Sequence, residues 1–168
     1  MLLIIKNTRF FCLLFICSFI FSCNQSHVKK VLTGVWVIDL NSMSYNNTLI
    51  GEDLSQDLIG FKENGIYQHP LIKFDNSFSN QEDEGSWELV EKRNELSIIV
   101  CCENKVFEGR YSVFFFLDSD NKYLNIMLIS DKTSFICSKM FLSFKANKKI
   151  IEELCKLYPP PSGAEYIH

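Results

Sequence analysis

Val106-Phe-Glu-Gly-Arg-Tyr-Ser-Val-Phe-Phe-Phe-Leu117 is the stretch on which the fold turns. Phe107, Tyr111, Val113, Phe115 and Leu117 fall on one side of an extended chain, and Glu108, Arg110 and Ser112 fall on the other. A period of two means a strand, and one apolar face opposite a polar one means a sheet with a single buried side. Such strands are typical of antiparallel sheets. Phe114 and Phe116 lie on the outward face and therefore need a cover of their own.

The same alternation recurs on both sides of this stretch. Trp87 and Leu89 oppose Ser86 and Glu88, and Leu124, Ile126 and Leu128 oppose Tyr123 and Asn125. Eight strands are expected: Gly34 to Leu40, Asp57 to Lys62, Ile66 to Phe74, Gly85 to Lys92, Glu95 to Cys101, Val106 to Leu117, Lys122 to Ile129 and Thr133 to Phe144. Short connectors such as Glu63-Asn64-Gly65, Lys92-Arg93-Asn94 and Ser130-Asp131-Lys132 are hairpin chemistry, so sequence neighbours should pair in space. Eight strands joined in this way can close and leave no exposed edge. The expected fold is all-β, an eight-stranded antiparallel up-and-down barrel with one C-terminal helix. Asn147 can cap that helix, Ile150, Ile151, Leu154 and Tyr158 would face the barrel's outside, and Pro159-Pro160-Pro161 would stop it. Asn41 to Gln56 and Asp75 to Glu84 read as polar surface loops, the first placed to cover a barrel mouth.

Composition agrees with one globular domain: 168 residues, 47% hydrophobic, 22% charged, with 7 Gly and 4 Pro. Seventeen basic against 20 acidic residues give a net charge of −3, which offers no basic surface for nucleic acid. His69 precedes Pro70 inside an apolar stretch, which suggests a bulge or an edge, and no nucleophile stands at a catalytic spacing from it. Neither Glu82-Asp83-Glu84 nor Asp118-Ser119-Asp120-Asn121 makes a full calcium loop. No enzyme, cofactor or metal is expected. Cys101, Cys102, Cys137 and Cys155 remain open between free thiols and one disulfide; zinc is least favoured, because His69 and His168 lack ligand spacing to them.

The first segment is an address. Lys6 and Arg9 precede an apolar run, Phe10 to Phe21, in which Ser18 is the only polar residue. Twelve helical residues reach about 18 Å, short of the roughly 30 Å hydrocarbon core, so a secretory signal is expected over residues 1–22 and not a spanning helix. Ile20-Phe21-Ser22-Cys23 resembles the bacterial lipobox. The resemblance implies cleavage before Cys23 and its acylation, palmitate included, with residues 23–30 as a tether. Asn24, standing where an inner-membrane retention signal would have Asp, points by analogy to the outer membrane, with the face left open. Losing Lys6 and Arg9 leaves 15 basic against 20 acidic residues, a net charge of −5.

From Leu32 to Tyr158 the chain resembles the lipocalins and the lipocalin-like lipoproteins of Bacteroidetes. Gly34-Val35-Trp36 heads the first strand, eight strands follow and a helix comes after the last, while Gly85-Ser86-Trp87 and Gly109-Arg110-Tyr111 repeat the glycine-aromatic spacing. The resemblance implies a barrel over residues 31–158 and a tail over 159–168. Gly34 would permit close approach, and Trp36 would plug the closed end. Lipocalins set an Arg of the last strand against that Trp; here the stretch offers Lys139, followed by Lys145. The expected function is membrane-anchored binding of a small hydrophobic or amphipathic ligand among Trp87, Phe107, Tyr111, Val113 and Phe115, with the Tyr111 hydroxyl orienting a head group. The alternative is a filled-core protein-protein module, such as an immunity or envelope assembly lipoprotein, acting through loops Asn41 to Gln56 and Asp75 to Glu84.

Overall fold

The computed structural model describes residues 27–74, 77–78, 83–92, 95–120, 123–139 and 148–162. The expected signal over 1–22, Cys23, Asn147 and the tail beyond residue 162 lie outside the described residues. Residues 27–32 are helical, and the barrel unit begins at Thr33.

The described residues hold twelve strands: β1 (Gly34–Ile38), β2 (Ser44–Tyr45), β3 (Thr48–Leu49), β4 (Leu58–Phe61), β5 (Ile66–Gln68), β6 (Lys73–Phe74), β7 (Ser77–Phe78), β8 (Glu84–Lys92), β9 (Glu95–Cys101), β10 (Gly109–Leu117), β11 (Leu124–Ile129) and β12 (Thr133–Lys139). One helix, α1 (Lys148–Leu157), follows them. Eight strands, β1, β4, β5 and β8 to β12, pair antiparallel in chain order, and β1 returns to β12 through Trp36↔Lys139 and Ile38↔Cys137. The sheet is thus closed: an up-and-down barrel of lipocalin-like type, as expected.

Where the strands end, local chemistry explains it. β1 stops at Ile38 and not at Leu40, because the Asp39 carboxylate accepts from the Asn41 amide at 3.0 Å and opens a 3-10 turn over Leu40–Ser42. The expected strand from Ile66 to Phe74 ends at Gln68, since Pro70 has no N–H to give to a ladder. β10 begins at Gly109 and not at Val106: the amides of Phe107 and Glu108 both donate to the Asn104 carbonyl and make a turn. The loop from Asn41 to Gln56 is also more ordered than a polar loop. It holds the β2–β3 hairpin, whose turn residues Asn46 and Asn47 take φ of 50° and 63°, and a second 3-10 turn at Gly51–Asp53. β2 pairs with β12 through Thr133↔Tyr45 and Ser134↔Ser44, in the part of β12 that lies past the end of β1. Asp75 to Glu84, described only in part, includes the strand β7, paired with β6.

Because neighbours are antiparallel, connections alternate between the two ends. One end carries the β4–β5, β8–β9 and β10–β11 connections, and the other carries the β1–β4, β5–β8, β9–β10 and β11–β12 connections. α1 packs against β10 with Ile151 and Leu154 buried, and Phe114 and Phe116 of that strand are half-buried. Just past the helix, the Tyr158 carbonyl accepts from the Phe115 amide at 2.8 Å, and its hydroxyl donates to the Glu91 carboxylate. Tyr158 therefore ties the helix end to β8 and β10 at once.

Candidate functional site

At the end with the short turns, the two signature positions meet the last strand. Trp36 is fully buried, and its partner across the ladder, Lys139, holds Nζ 5.1 Å from the ring centroid. The same ammonium donates to the Thr33 carbonyl at 2.8 Å, and burial brings its pKa down to about 8. Gly34 has φ +131°, a conformation that needs glycine, and a Cβ there would come within 3.4 Å of the Lys139 side chain. Lys139 thus sits against the Trp36 ring.

All five expected interior residues, Trp87, Phe107, Tyr111, Val113 and Phe115, are buried. The aromatic ones lie against further aromatic rings. Trp87 meets Phe61 at 5.3 Å, Phe61 meets Tyr67 at 5.2 Å, Tyr67 meets Phe107 at 6.5 Å, and Phe107 and Tyr111 both meet Phe135, at 6.2 and 5.9 Å. The polar tips are committed as well: the Trp87 indole donates to the Lys62 carbonyl at 2.9 Å, and the Tyr111 hydroxyl lies 3.1 and 3.0 Å from the carbonyls of Val106 and Phe107. The expected role of that hydroxyl, orienting a head group, is filled by the protein's own backbone. Burial accordingly pushes the Tyr111 and Tyr67 phenols up.

Phe107 reaches the interior from the turn before β10. That turn is held in the mouth of the barrel by Tyr111 and by the Thr133 hydroxyl, which donates to Val106 at 2.6 Å. His69 stacks on Phe107 with ring centroids 5.0 Å apart. Its Nδ1–H donates to the Pro70 carbonyl at 3.0 Å, while Nε2 and the Asn104 amide nitrogen are buried with no hydrogen bond to the described residues. Desolvation lowers the His69 pKa. Tyr111→Phe is expected to cost about 1–3 kcal/mol, because it strips the Phe107 carbonyl of its buried donor. Urea denaturation measures that loss; an unchanged midpoint would mean that the turn is held by something else.

An open space of about 260 Å³ lies on the outside of the barrel. Its floor is Met127 and Ile129 on β11 with Ile136 on β12, all pointing outward. The opposite wall comes from the loop between β1 and β4: Asp39, Asn41, Ser42 and Ser44, with Leu49 at the lip. Most wall hydroxyls are used internally. Ser42 donates to the Asp39 carbonyl and accepts from the Ile136 amide, and Ser44 and Ser134 bond to each other at 2.8 Å. Apolar residues at the outward positions Met127 and Ile129 were the sequence sign of this groove, and Asn46-Asn47 was the sign of the hairpin that walls it.

The four cysteines are free thiols. Cys101 is exposed, Cys102 and Cys155 are partly buried, and Cys137 lies inside the barrel. No group of metal-ligating side chains occurs among the described residues. Comparison of the chain with known protein families, with curated proteins and with solved structures found no match to any of them.

Proposed function

We propose that this chain is a lipocalin-like binding lipoprotein of the bacterial envelope, tethered through acylated Cys23 to the outer membrane, and that it binds with its outer surface while the barrel serves as a rigid scaffold. The observation that carries this reading is the interior: its large rings lie against one another, and the Tyr111 hydroxyl is spent on backbone carbonyls. Among the described residues, the external groove offers a small ligand apolar area with a polar rim. Binding without turnover is the proposed role, since His69 is buried within the aromatic cluster and committed at Nδ1.

A second reading, a protein partner at the same face, is favoured by Leu49, which is 68% exposed, and Leu40, 39% exposed, both on the loop between β1 and β4. Fractionation tests the tether: Cys23→Ala is expected to move the protein out of the detergent phase or leave it unprocessed, and unchanged partition and cleavage would overturn the lipoprotein reading. A hydrophobic dye tests the surface. Saturable binding lost in Ile136→Lys and kept in Tyr111→Phe supports an outer site, whereas the reverse pattern returns binding to the barrel interior.

A further inference from the structure

We propose that the external groove is a site for a small amphipathic amine, whose apolar part lies on Met127, Ile129 and Ile136 and whose ammonium faces Asp39. The inference rests on the outer-surface reading above and narrows it to a ligand class.

The shape sets the size. About 260 Å³ is just under the roughly 300–1,000 Å³ of drug-sized sites, so the occupant is a compact molecule. The floor sets its body: three side chains from adjacent strands, with Met127 able to adapt to an alkyl or aryl shape. The charge sets its head. Among the described residues, Asp39 is the only ionisable one lining the groove, and no lysine or arginine is in that lining. One of its oxygens, Oδ1, receives the Asn41 amide, and the carboxylate has no other hydrogen bond among the described residues. The serines around it are occupied by one another or by backbone. A carboxylate ligand would meet Asp39 with like charge, and an alcohol would gain one neutral hydrogen bond. An ammonium gains a charge-assisted bond at the edge of an apolar floor, where solvent screens it less than in open water.

The two described methionines allow a direct test. Met127 lines the groove, while Met43, between the lining residues Ser42 and Ser44, is fully buried and does not itself line it. The full lipidated protein, labelled with ¹³C at the methionine methyls and held in nanodiscs, is titrated with hexylamine, hexanol and hexanoate against empty nanodiscs as blank. The Met127 methyl resonance is expected to move saturably with hexylamine, at least tenfold more tightly than with hexanoate, while Met43 stays in place. Asp39→Asn keeps the cap, because Asn is as good an N-cap as Asp, and is expected to remove the preference for amine over alcohol. Ile136→Lys is expected to abolish the site. Equal movement of Met127 with all three compounds would overturn the amine assignment and leave the outer-surface reading standing. Movement of Met43 with Met127 unmoved would overturn both, and no saturable movement of either methyl would overturn the amine site.

Discussion

Trp36→Ala is expected to cost about 3–5 kcal/mol, the usual range for emptying a fully buried large aromatic site. The loss has two parts. Removing the ring takes away apolar area that β1, β4 and β12 share where the barrel closes, at the pairings Trp36↔Ile59 and Trp36↔Lys139. It also leaves Lys139 over a cavity instead of a π face, with an ammonium that burial already disfavours. Trp36→Phe keeps an aromatic face and part of the volume, so its loss should be smaller. Urea midpoints at fixed pH measure both variants. An alanine variant as stable as the parent would mean that the closure of the barrel does not depend on this ring.

Much of the barrel was legible because its strands carry their own two-residue period. Tyr111, Val113 and Phe115 face inward as their alternation with Arg110 and Ser112 requires, and β8, β9 and β11 fall within two residues of their expected ends. Phe107 was placed on the correct side for an incomplete reason. It is buried, but from a turn nucleated by the Asn104 carbonyl, and the alternation alone gave no sign that the strand starts only at Gly109. The segment from Ile66 to Phe74 was read through as one strand although its own Pro70 cannot donate, and the ladder ends before it. The candidate site was far less legible. A groove formed by Asp39, Leu49, Met127 and Ile136 joins residues almost a hundred positions apart, brought together by the β1–β12 and β2–β12 pairings and by the Asp39 amide, which donates to the Ile136 carbonyl at 2.9 Å. Lone apolar residues on an outward face are too ordinary to announce such a site.

Raising the pH is expected to unfold the protein steeply. Burial pushes four acids of the interior and mouth up: the phenols of Tyr67 and Tyr111, the Cys137 thiol, and the Cys102 thiol, which goes to about 11. Each keeps its proton when folded and releases it near its ordinary value of 9 or 10 when unfolded. The unfolded state therefore binds fewer protons, and stability that is fully present below pH 9 drains away as pH rises. Lys139 works in the opposite sense. Its folded pKa of about 8 lies below the ordinary 10.5, so between those values the unfolded state binds one proton more and stability rises. One cation is outnumbered by four acids. The urea midpoint should rise slightly or stay level from pH 8 to 9, then fall ever more steeply, since each proton contributes about 1.4 kcal/mol per pH unit. Because the folded Cys102 thiol itself titrates at about 11, about three protons set the steepest slope, roughly 4 kcal/mol per unit, enough to exhaust a typical domain stability of 5–15 kcal/mol within two to four units. Tyrosinate absorbance should appear together with the loss of structure and not ahead of it for the buried phenols. Tyr67→Phe removes one titrating group and should make the fall shallower by about one proton's worth, whatever it does to the midpoint at pH 7. A midpoint that stays level to pH 11 would mean that these groups reach solvent in the folded state, and that the interior is not the closed aromatic core described above.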